Sequence, residues 1–164
     1  RRRAPLIFVC MIDIPSFISG GAFVKIGGFL LGQFFKRHDD QIKAQRELLR
    51  NDVASLCTQT DSLWREAVDY YQKPSSEGIE EAKKLKLDLQ SFARQWKLVN
   101  EKLETAGFAP LPNDLLIQFR QALTLQIDVE RTEGLPIAHP TAVALHNASD
   151  ALNANFYELK YKLT

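Results

Sequence analysis

Residues 6–35 read LIFVCMIDIPSFISGGAFVKIGGFLLGQFF, an apolar run in which Asp13 and Lys25 are the only charged side chains. A run of this length is the strongest constraint in the chain. It enters a membrane, is removed as a leader, or is buried against other helices. The leader reading takes Arg1 to Arg3 as its basic start, Leu6 to Ile14 as its apolar core and Ser19-Gly20-Gly21 as its cleavage site. The run then stays apolar well past that site, which a removed leader does not require.

Two membrane readings remain. A single transmembrane helix needs about 20 apolar residues. Ile18 to Phe35 nearly supplies them, and Lys36, Arg37 and His38 follow as a cytoplasmic flank. That span leaves Arg1 to Arg3 on the far side. A re-entrant hairpin keeps both basic flanks together, with Pro15, Ser16, Ser19, Gly20 and Gly21 as its turn. Folding about Ser19 sets Asp13 opposite Lys25, and pairing two opposite charges is the cheapest way to hold either in hydrocarbon. Each arm is then roughly 18 to 24 Å long at helical rise, short of a full span.

The second arm carries Gly21, Lys25, Gly28 and Gly32 on one face. Glycines let another helix approach closely, so this face is expected to self-associate in the membrane, against the first arm or a second copy. Lys25 either lines an oligomeric pore, snorkels to the interface or pairs with Asp13. In a different class of reading, the chain is a soluble adaptor whose first 35 residues form a core hairpin or a partner-binding arm.

After Lys36 the character changes to amphipathic helix. Ile42, Leu49, Val53, Leu56, Thr60, Leu63, Ala67 and Tyr70 step by seven and then by four and three, the spacing that keeps one stripe on one helix face. Lys73-Pro74-Ser75-Ser76-Glu77-Gly78 breaks that helix, with serine as the expected N-cap of the next. A second stripe follows at Ala82, Leu85, Leu89, Phe92, Trp96, Val99 and Leu103, with Gly107 as the expected C-cap. A third helix is expected from Asn113 or Asp114, through Leu116, Phe119, Leu123 and Ile127, to Gly134. A fourth runs from about Thr141 through Leu145, Leu152, Phe156, Leu159 and Leu163. The fold class is therefore all-α. The membrane segment, residues 1–35, precedes an antiparallel four-helix bundle, residues 36–164, with two long and two shorter helices.

Charge excludes one large class of partner. Residues 36–106 hold thirteen basic and thirteen acidic side chains, interspersed, and residues 107–164 hold four and six. A nucleic-acid binder needs a basic stripe to neutralise phosphates, so no nucleic acid is expected. Cys10 and Cys57 have no second ligand at metal spacing, and both read as reduced, buried thiols. His38, His139 and His146 lack the i, i+4 spacing of a metal pair. The carboxylates Asp52, Glu66, Glu80, Glu81 and Glu104 fall off the apolar stripes. Neither GxGxxG, GxxxxGK[ST] nor GxSxG occurs, so neither catalysis nor a cofactor is expected.

Among the aromatics, Tyr70 and Trp96 lie on the stripes, whereas Trp64 and Tyr71 lie beside one, seven residues apart. If exposed, that pair is a candidate partner surface. The layout resembles, in architecture rather than motif, small bacterial proteins in which an N-terminal membrane segment carries a cytoplasmic helical domain. Such a likeness transfers little function. The expected protein is thus an interaction protein anchored in the cell membrane, meeting lipid and self-associating through its membrane segment as a membrane effector or sensor, while its cytoplasmic domain senses or recruits a protein partner.

Overall fold

A computed structural model describes the backbone of residues 20–136 and 138–164, and the side chains of residues 33, 35–136 and 138–164. Four helices make up the described chain, with no strand among its residues: α1, Gly20–Tyr71; α2, Ile79–Thr105; α3, Asn113–Thr124; and α4, Pro140–Lys162. The all-α class is as expected. Two compact units divide at Gln41 and Ile42. The leader, span and hairpin readings of residues 6–35, with Cys10 and Asp13, lie outside the described residues. Gly21, Lys25, Gly28 and Gly32 fall within α1, but their side-chain surroundings lie outside them too.

In the second unit the spacing of the stripes becomes a single apolar core. Leu49, Val53, Leu56, Thr60, Leu63, Ala67 and Tyr70 of α1 are buried, whereas Ile42, first in that stripe, is 38% exposed. From α2 come Leu85, Leu89, Phe92, Trp96, Val99 and Leu103. Phe119 and Leu123 enter from α3, with Leu145, Leu152, Phe156 and Leu159 from α4. Each such side chain contributes roughly 1.5–3 kcal/mol through removal from water. The middle is aromatic: the Phe92 ring meets Trp96 at 6.1 Å and Phe119 at 5.9 Å, and Trp96 meets Phe156 at 5.8 Å.

Polar groups on these stripes are satisfied locally, as burial demands. Thr60 donates its hydroxyl to the Leu56 carbonyl at 3.0 Å, and Trp96 donates Nε1–H to Asn113 Oδ1 at 3.2 Å. Ion pairs record how the helices run. Asp52 meets Lys102 at 2.6 Å and Glu66 meets Lys84 at 2.9 Å, so numbers fall along α2 as they rise along α1, and the two are antiparallel. Cys57 against Asn153 and Trp64 against His146 give the same result for α1 and α4.

Helix ends show where local reasoning succeeds and where it fails. At α2, Gly107 has φ 81°, its N–H reaches Glu104 O at 3.1 Å, and Phe108 N–H reaches Leu103 O at 2.9 Å. This is the paired closure expected of a C-terminal glycine. The serine N-cap is a correction: Gly78 caps α2 without a side-chain bond. Ser75 is engaged elsewhere, accepting from Arg131 N–H at 2.9 Å and donating to Arg131 O at 3.2 Å.

The third helix ends at Thr124, ten residues before the expected Gly134. Ile127 N–H closes a turn on Thr124 O at 3.2 Å, and carbonyls on either side of it accept from side chains. Tyr71 Oη donates to Leu123 O, Tyr70 Oη to Ile127 O at 2.9 Å, and Arg131 Nη1 to Gln126 O at 2.7 Å. Helix lengths of 52, 27, 12 and 23 residues leave only α3 markedly short.

Candidate functional site

Two of the grooves on the second unit expose apolar side chains beside α1. The first contains the Trp64 and Tyr71 pair. It holds about 380 Å³ and is walled by Trp64, Val68 and Tyr71 of α1, Leu135 of the α3–α4 loop, and Val143 and His146 of α4.

Several local choices assemble these walls. Gly134 brings the loop against the end of α1, where a Cβ would stand 2.0 Å from Gln72 O. That approach lets Leu135 N–H bond Tyr71 O at 2.7 Å and sets the Leu135 side chain at the groove. Pro140 occupies the first turn of α4, and His139 Nδ1 accepts from Thr141 N–H at 3.2 Å. Pro is preorganised for a helix start and His139 satisfies one of its free N–H groups. Val143 and His146 then face α1, with the His146 ring 6.0 Å from Trp64. His146 Nε2 also lies 3.4 Å from Asp150 in an exposed pair.

Trp64 is half-buried, and its Nε1–H has no hydrogen-bond partner among the described residues. Leaving such a donor unmet costs about 1–3 kcal/mol. Tyr71 departs from the partner-surface expectation in one respect: it is only 2% exposed. It floors the groove because its hydroxyl is drawn under the end of α3. Burial pushes the Tyr71 phenol up to about 12, against the pull of Arg131.

Arg131 was not singled out by the sequence, since the expected third helix ran straight through it. It is 8% exposed, with its guanidinium 4.7 Å from the Tyr70 ring centre and 5.1 Å from that of Tyr71. Stacking on two electron-rich faces offsets part of its desolvation. Nε and Nη2 have no hydrogen-bond partner among the described residues.

The second groove, about 340 Å³, lies between α1 and α2. Leu48 and Leu98 flank it at 66% and 56% exposure over buried Leu49, and the Asp52–Lys102 pair borders it.

Side chains with catalytic or metal-binding potential are dispersed. Among the described residues no group of three or more His, Cys, Asp or Glu could hold a metal ion. Burial, then Asp61, raises the Cys57 thiol, which donates to Asn153 Oδ1 at 3.3 Å and stays protonated near neutrality. Asp52, Glu66, Glu80 and Glu81 form ion pairs with lysines. Among the described residues no helix is long and apolar enough to cross a membrane. Comparison with known protein families, with curated proteins and with solved structures finds no match for the chain.

Proposed function

We propose that this chain is a membrane-anchored helical interaction protein that works by binding rather than catalysis. The apolar segment inserts into the cell membrane and self-associates through Gly21, Lys25, Gly28 and Gly32, with Asp13 and Lys25 as an intramembrane ion pair. Residues 36–164 form a cytoplasmic antiparallel four-helix bundle that receives a protein partner at the Trp64 groove. The observation that carries this reading is the division of labour along α1. Every described residue from Phe35 to Leu48 is exposed, and the described core begins only at Leu49. The described core thus draws on α1 from Leu49 onward and uses none of the described side chains before it.

Fractionation of cells making the full chain, followed by chemical crosslinking, tests the reading. Recovery in the membrane pellet as crosslinked oligomers is expected. A monomer in the soluble fraction would overturn it in favour of the adaptor reading.

A further inference from the structure

The outer face of α2 carries its charges in a definite order. Arg94 and Glu101 lie seven residues apart, as do Lys97 and Glu104, so each basic residue shares a line along the helix with an acidic one. All four are exposed. Leu98 falls between the basic half and the acidic half, and it walls the α1–α2 groove with Leu48. The α1 side of that face adds no net charge, because Ala44 and Gln45 are neutral and Asp52 is paired with Lys102 at 2.6 Å.

A twofold interface must be complementary to itself. A helix face that is positive at one end, negative at the other and apolar between them meets that condition only when its copy runs the opposite way. We propose that a second copy of this chain docks across α2 in antiparallel fashion. Leu98 packs near the twofold beside Leu48, Arg94 meets the partner's Glu104, and Lys97 meets the partner's Glu101. Each pair occurs twice. A parallel arrangement in register sets Arg94, Lys97, Glu101 and Glu104 against their own kind, which is repulsive. Within one chain Lys97 reaches Glu101 at 3.8 Å. Such an exposed intrahelical pair contributes little and exchanges freely for a contact between copies. This inference deepens the self-association proposed above, yet it uses a surface outside the membrane segment.

Sedimentation of the full chain in a nonionic detergent tests it with two variants. Arg94→Glu with Lys97→Glu makes the face wholly acidic, and Glu101→Lys with Glu104→Lys makes it wholly basic. The wild type is expected to dimerise, each variant alone to self-associate at least about tenfold more weakly, and an equimolar mixture to recover the dimer. Misfolding cannot imitate that recovery, since two misfolded chains gain nothing by mixing. A monomeric wild type, variants that associate as the wild type does, or a mixture that fails to pair would each overturn the inference. Liposome flotation of the same proteins reports membrane insertion separately, so loss of the dimer with flotation intact leaves the anchoring reading standing.

Discussion

Gly134 shows how much one missing methyl group can control. A Cβ there would meet the Gln72 carbonyl oxygen at 2.0 Å and its carbon at 2.4 Å, both backbone atoms with little freedom to move. Gly134→Ala should therefore cost about 2 kcal/mol or more in urea unfolding and alter Trp64 fluorescence, because Leu135 withdraws from the groove. A change below about 0.5 kcal/mol would mean the loop relaxes freely. Tyr71 offers a pH readout with a defined sign. An unfolded tyrosine ionises near 10, whereas in the fold the phenol is pushed up to about 12. The stability this confers is fully present below pH 10 and is lost as pH rises toward 12, a fall on the order of 2–3 kcal/mol. Ultraviolet titration should find a tyrosine step well above the ordinary phenol range, assigned to Tyr71. Tyr71→Phe should remove that late step and cost about 1 kcal/mol through the lost bond to Leu123 O.

Along single elements, α2 is the clearest case of a helix written in its own spacing. Six residues of its expected stripe are buried from Leu85 to Leu103, and its C-terminal glycine closes it as expected. Phe92 stands at the aromatic centre with no exposure, so Phe92→Ala should cost about 3–5 kcal/mol in thermal or urea unfolding. Gly107→Ala meets no atom within 4 Å, so only the positive φ opposes it, and its cost should be near 1 kcal/mol. A larger loss there would imply a contact the backbone does not show. The third helix was less legible for a physical reason. Phe119, Leu123 and Ile127 continue the helical spacing, and all three are buried. Side chains distant in sequence hold the chain where the helix ends: Tyr71 takes the Leu123 carbonyl that the next turn would have used, and Tyr70 takes that of Ile127.

The same distinction holds for the whole molecule. The all-α class and the core stripes follow from periodicity, because each depends on neighbours three and four residues away. The Trp64 groove was only half visible. Trp64 and Tyr71 share a helix face, but Leu135 and His146 reach them from more than sixty residues on, through a loop whose path Gly134 sets. Tyr71 turned inward because the end of α3 needed its hydroxyl, a demand no local pattern announces. At this scale the central claim is a separation of roles: an N-terminal apolar segment that meets lipid, and a helical domain that folds on the core described from Leu49 to Leu163.

Flotation with liposomes, run alongside circular dichroism on the full chain and on a chain lacking residues 1–35, tests that separation most directly. The account predicts that the full chain floats with lipid, while the shortened chain stays in the aqueous layer and keeps a cooperative helical unfolding transition. A full chain that stays with the aqueous layer, or a shortened chain that loses its helical fold, would contradict it.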